Sequence, residues 1–228
     1  MDYLHQFVFG IYPYIALSIF LLGSLIRFER EQYSWKSESS QLVYRGNLRL
    51  GNILFHIGVL GLFFGHLVGL LTPLSVWEAL GVTHSFKQVF AMTAGGIMGS
   101  LGLVGLLILL HRRLSSERLA ANTTWRDKLV LLWLLATLLL GLSTIAVSAQ
   151  HLDGHEMVLL MTWAQHVVTF RGDAAQFIVT ASPIFKLHLF MGMSVFVIFP
   201  FTRLVHVWSG FGAVAYLGRA WQLVRPRA

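Results

Sequence analysis

Residues 51–72 read GNILFHIGVLGLFFGHLVGLLT, an apolar run interrupted by His56, His66 and five glycines. At about 1.5 Å of rise per residue its length matches the roughly 30 Å of hydrocarbon in a bilayer, so it reads as a transmembrane helix. Gly51, Gly58, Gly61, Gly65 and Gly69 would weaken a helix in water. In lipid they let another helix or a flat cofactor approach the backbone. Two histidines inside such a span are costly, which marks them as candidate functional groups.

Four further apolar runs accompany it, at 4–26, 88–110, 129–148 and 184–208, and the last carries His188 and His206. The expected architecture is therefore all-α, a five-helix transmembrane bundle over residues 1–210, followed by a tail at 211–228. Pro13 and Pro200 are expected to bend the first and last spans. Composition agrees: of 228 residues 56% are hydrophobic and 12% charged, and mean hydropathy is +0.68, too apolar for an ordinary soluble domain. The start of the chain lacks a basic segment before its apolar run, so the first helix is expected to be retained rather than cleaved as a signal.

A net charge of +7 raises nucleic acid as a partner, but the basic residues lie between the spans rather than along one face. Orientation in a membrane explains them better. Arg27, Arg30, Lys36, Arg45 and Arg49 follow span one, and Arg112, Arg113, Arg118, Arg126 and Lys128 follow span three. The C-terminal side carries Arg203, Arg219, Arg225 and Arg227, which leaves Lys87, Arg171 and Lys186 for the other side. By the positive-inside rule the N-terminus is outside and the C-terminus cytoplasmic.

This orientation pairs the histidines by side: His66 with His188 externally, and His56 with His206 on the cytoplasmic side. Their spacings in regular helix, about 15 Å and about 27 Å, do not match. Tilt, the Pro200 bend or obliquely set planes would have to absorb the difference. Paired imidazoles suit bis-histidine haem iron, and two stacked haems would carry electrons across the bilayer. Tetrahedral zinc is a weaker reading because the four side chains differ in depth. Packing histidines bonded to neighbouring backbone are the structural alternative. The chain has no cysteine, which excludes thioether-linked haem and cysteine-held iron–sulfur clusters within it.

Other polar features have two readings each. Arg112, Arg113 and Arg203 suit either haem propionates or inner-face anchoring. The cluster His151, Asp153, His155 and Glu156 resembles a metal site, but a helix capped at Asp153 is the simpler account. Residues 156–170 are amphipathic and too short to span, so they are expected to lie externally as a lid. The basic tail would anchor to anionic lipid.

In order along the chain stand IYPYIA (11–16), NILFHIG (52–58), GH (65–66), LTP (71–73), AGG (94–96), SAQHLDG (148–154), WAQ (163–165), FPF (199–201) and RLVH (203–206). With these segments the chain resembles, almost end to end, the gamma subunit of respiratory nitrate reductase, a membrane cytochrome b. The resemblance implies two haems b, with His66 and His188 holding the distal haem and His56 and His206 the proximal one. It implies that Lys87, with Gly65 and His66 nearby, serves a site for menaquinol or ubiquinol, where a cation can hydrogen-bond a quinol oxygen and favour its deprotonation. A snorkelling interface lysine is the alternative for Lys87.

The resemblance further implies a bacterial inner-membrane location. Electrons would leave quinol outside and pass to an iron–sulfur beta subunit and a molybdopterin alpha subunit, which the tail would contact. Nitrate would never touch this chain. Cytochrome b anchors of formate dehydrogenases, hydrogenases or heterodisulfide-reductase-like complexes are the nearest alternatives, and a non-redox membrane protein is the third.

Overall fold

A computed structural model describes residues 2–31, 35, 47–150 and 152–209, all of whose regular structure is helical. The elements are α1 (Tyr3–Gln6), a π-helical turn (Phe7–Ile11), α2 (Tyr12–Arg30), α3 (Leu48–Leu71), α4 (Leu74–Ala79) and α5 (His84–Ser115). Then come α6 (Glu117–Ala121), α7 (Trp125–Ser148), α8 (His155–Val168), a 3-10 turn (Ala174–Ile178) and α9 (Pro183–Ile198). Two more 3-10 turns, Phe199–Phe201 and Arg203–Val205, lead to His206. The segment after residue 209, with the expected tail at 211–228, lies outside the described residues.

Five helical stretches among the described residues are long and apolar enough to cross a membrane: Tyr3–Arg30, Leu48–Leu71, His84–Ser115, Trp125–Ser148 and Pro183–Phe201. Their order in space follows from packing: α3 lies on α5, α5 on α7, α7 on α9, and α9 on α2. Glycine decides the closest of these contacts. A Cβ built at Gly58 would stand 2.3 Å from the Gly102 nitrogen, and one at Gly105 would stand 2.3 Å from the Phe55 nitrogen. Helix α3 therefore touches α5 backbone to backbone, the arrangement that small residues permit where lipid offers no hydrophobic drive to associate.

Both prolines coincide with departures from regular α-helix. Pro13 has no N–H and its ring would press on the Phe9 carbonyl in a regular helix. The wider π turn at Phe7–Ile11 precedes it. Pro200 has a larger effect: the last span is not continuous to residue 208, because α9 ends at Ile198 and the chain becomes extended at Thr202 (φ −126°, ψ −179°). Arg27 of α2 grips this break, donating from Nη1 to the Pro200 carbonyl at 2.7 Å and to the Thr202 carbonyl at 2.8 Å. Arg27→Gln is expected to cost about 1.5–3 kcal/mol, the worth of a charged hydrogen bond. A lowered thermal unfolding midpoint in detergent would register it.

Helix α8 covers one end of the bundle, as its amphipathic sequence suggests, and its apolar face is sealed. Trp163, Ala164 and Val167 join Phe9, Ala174, Ala175 and Ile178 in one buried cluster. The Trp163 Nε1 donates to the Phe9 carbonyl at 2.9 Å, and Gln165 Nε2 donates to Leu70 and Thr72 carbonyls, both at 3.1 Å. The latter pair caps carbonyls that the end of α3 leaves unpaired. His166 Nδ1 bonds Asp173 Oδ1 at 2.7 Å, and this contact holds the Asp173 carboxyl below the usual carboxylate range.

The start of α8 differs from expectation. Gly154, in the left-handed region at φ 83°, occupies the N-cap, and Asp153 sits one residue outside it. Its Oδ1 still accepts from the His155 N–H at 3.1 Å. His84 closes on Gly154, where an added Cβ would lie 2.8 Å from the His84 Cβ, so glycine is required on both counts. No group of three or more metal-binding side chains occurs here or elsewhere among the described residues, and His151 is outside them.

Candidate functional site

The four histidines form two facing pairs, one toward each end of the bundle. The ring centroids of His66 and His188 are 6.2 Å apart with planes inclined at 48°, and those of His56 and His206 are 6.2 Å apart at 73°. Helix α3 supplies one member of each pair. The pairing expected from sidedness is the one that the fold brings together.

The mismatch between ten residues on α3 and eighteen on the last span has a structural resolution. Only the first part of that interval, from His188 to Ile198, is α-helix. The break at Pro200, the extended Thr202 and the following 3-10 turn change the chain's course before His206. Helical rise therefore does not apply to the second half of the interval.

Each pair is prepared by its backbone. His56 Nδ1 donates to the Asn52 carbonyl at 2.8 Å, His66 Nδ1 to the Leu62 carbonyl at 2.7 Å, and His206 Nδ1 to the Arg203 carbonyl at 2.6 Å. A carbonyl can only accept, so Nδ1 is the donor and Nε2 is the ring nitrogen left for a metal. The His188 Nδ1 is buried beside the Thr137 backbone without a well-formed hydrogen bond. The ring lies against Gly141, where a Cβ would meet His188 Cε1 at 2.8 Å.

These residues fit haem. Two metal–imidazole bonds of about 2 Å on opposite sides of one ion, plus half of each ring, separate the centroids by about 6 Å. Two facing imidazoles per site are the protein ligands that a bis-histidine haem would require. A Cβ at Gly65 or at Gly192, one turn beyond His188, would meet nothing within 4 Å, so a flat group can approach the backbone beside this pair.

Lys87 is buried, 6% exposed, near the first turn of α5. Its Nζ donates to the Gly69 carbonyl at 3.0 Å and to Met161 Sδ at 2.7 Å, and stands 4.6 Å from the centre of the Trp77 ring. It does not reach outward to an aqueous interface, which departs from the snorkelling alternative. Gly69 is one turn from His66 on α3, so Lys87, Gly65 and His66 share one end of the bundle.

At the other end, Arg113 and Arg203 converge on Asp127. Arg203 Nε donates to Asp127 Oδ1 at 2.7 Å, with its Nη2 on the same oxygen, and Arg113 Nη1 lies 3.7 Å from Oδ2. Arg112 is buried at the same end of α5. Asp127, Met161 and Trp77 were not singled out by sequence reasoning. A signal for Asp127 was present, since Thr124-Trp-Arg-Asp127 is a capping-box pattern before an apolar run. Met161 and Trp77 carry no such signal, because only the approach of α4 and α8 to α5 gives them their neighbour.

Fold and site together define a multi-pass helical membrane protein with two facing imidazole pairs along one bundle. Residues 5–227 match the family described as nitrate reductase gamma subunit. Over 227 residues, covering 100% of each chain, the sequence is 50% identical to the respiratory nitrate reductase 1 gamma chain of Escherichia coli (strain K12). It is 46% identical to the respiratory nitrate reductase 2 gamma chain of the same organism, covering 100% of this chain and 99% of that one. Against the nitrate reductase gamma chain of Bacillus subtilis (strain 168) identity is 35%, covering 98% and 99%. The chain belongs to the nitrate reductase gamma subunit family.

Proposed function

We propose that this chain is the quinol-oxidising cytochrome b subunit of a respiratory nitrate reductase in the bacterial inner membrane. It would deliver electrons from quinol, near the outer face, to an iron–sulfur beta subunit and onward to the molybdopterin alpha subunit that reduces nitrate. The observation that carries this reading is the pair of 6.2 Å imidazole contacts at separate depths of one membrane-spanning bundle, in a chain of this family. Haem b held by the two imidazoles of each pair would supply a one-electron carrier.

The chain's own residues define the rest. His66 and His188 hold the haem at the outer end, and His56 and His206 the one at the cytoplasmic end. The N-terminus lies outside and the C-terminus inside, as the distribution of lysine and arginine requires. The 211–228 tail contacts the cytoplasmic subunits and the inner leaflet. Arg112, Arg113 and Arg203 would contact the cytoplasmic haem's propionates, the last two while bonded to Asp127. Menaquinol or ubiquinol binds beside Gly65 and His66, where Lys87 Nζ hydrogen-bonds a quinol oxygen and favours loss of its proton. The bonds to Gly69 and Met161 hold that ammonium in place before quinol arrives.

Reduced-minus-oxidised optical spectra of membranes carrying the assembled complex test the reading. Two b-type signals are expected, reduced by quinol and reoxidised by nitrate, and the absence of a b-type band would reject it. Lys87→Ala should retain both signals while weakening binding of a quinol analogue by about 10-fold or more, the scale of one charged hydrogen bond. Unchanged affinity would remove Lys87 from the site.

A further inference from the structure

His56 and His66 inherit their orientation from α3, since each Nδ1 bonds the carbonyl four residues earlier in a regular helix. His206 has no such support. Its acceptor is the Arg203 carbonyl, three residues back, in a segment that follows the extended Thr202. That carbonyl can hold an imidazole at a set angle only if something outside the segment holds Arg203.

Asp127 does so. It is 3% exposed at the start of α7 and is itself fixed by the capping box: its Oδ2 accepts from the Thr124 N–H at 3.1 Å and from Thr124 Oγ1 at 2.9 Å. The other oxygen takes both Arg203 Nε and Nη2. A guanidinium held by two donors cannot swivel, so α7 pins Arg203 in direction as well as position. We infer that Asp127 is a positioning residue for the His56/His206 haem, acting through Arg203 on the plane and hydrogen bond of the His206 imidazole. The carbonyl bond to Nδ1 sets the ligand's basicity, so loosening Arg203 changes the haem's electronic state and not only its occupancy.

The inference rests on the proposed bis-histidine haems, and the two haems of one molecule provide the control. In the assembled complex, Asp127→Asn is expected to shift the low-spin electron paramagnetic resonance signal and midpoint potential of the His56/His206 haem. The His66/His188 haem should keep its wild-type values. Asp127→Glu, which retains the charge, should lie between the two. Should Asp127→Asn fail to accumulate, Arg203→Lys removes the two-donor contact while keeping the cation and carries the same comparison. Unshifted signals from both haems, or equal shifts in both, would overturn the inference. Wild-type membranes without two b-type signals would instead overturn the proposed function.

Discussion

His66→Ala or His188→Ala should yield a protein with one b-type haem instead of the proposed two. In the proposed arrangement each side chain is one of two protein ligands at its site, and loss of an outer-shell partner alone typically costs 10–100-fold in metal affinity, so loss of a ligand should cost more. The surviving haem is the one at His56 and His206, which share no side chain with the other pair. Quinol-dependent nitrate reduction should fall at least about 100-fold. Nitrate reduction from an artificial donor acting on the cytoplasmic subunits should persist. Difference spectra and haem extraction measure the count directly. Two haems in either variant would reject the pairing.

The second large effect is expected at Gly58, where α3 meets the backbone of α5. In Gly58→Leu, the new Cβ meets the Gly102 nitrogen at 2.3 Å and the Met98 carbonyl oxygen at 2.6 Å. These are backbone atoms and cannot rotate away, so α3 must move off α5. Overpacking of this kind costs about 1–3 kcal/mol or more. The functional result should exceed the stability cost because α3 carries both His56 and His66, and its displacement opens both imidazole pairs. Loss of both haems is expected, in contrast to the single loss from a ligand variant. Gly172→Ala, where an added Cβ meets nothing within 4 Å, serves as the tolerated control. Wild-type haem content in Gly58→Leu would show that the helices do not depend on that close approach.

Much of this was legible from patterns that are local in the chain. Span number and rough extent follow from hydropathy, because each helix must satisfy its own backbone in lipid regardless of its neighbours. The pairing of His66 with His188 and His56 with His206 follows from the number of spans between them, since alternating direction determines which ends lie together, and the basic residues bear only on which end is cytoplasmic. The effect of Pro200 was foreseen in kind but not in extent. A missing N–H predicts a break, but where the chain goes afterwards depends on what grips it, here Arg27 of α2 and Asp127 of α7.

Lys87 illustrates the boundary. Its place between two spans fits both a snorkelling cation and a buried one. Met161 and the Gly69 carbonyl, 74 and 18 residues away, draw it inward. Arg203 is similar: near His206 in sequence, it suits a propionate contact, but its guanidinium is bonded to Asp127 on another helix.

Sequence alone determines the five spans, which histidines share an end of the bundle and the glycines that admit close approach, since these follow from hydrophobic and backbone requirements of single helices and from their alternating direction. Tertiary structure decides the equal 6.2 Å separation of the two imidazole pairs and the burial of Lys87. It also decides the hold on His206. These depend on contacts between residues distant in the chain, whose geometry is set by helix packing and by the break at Pro200, and no local periodicity encodes them.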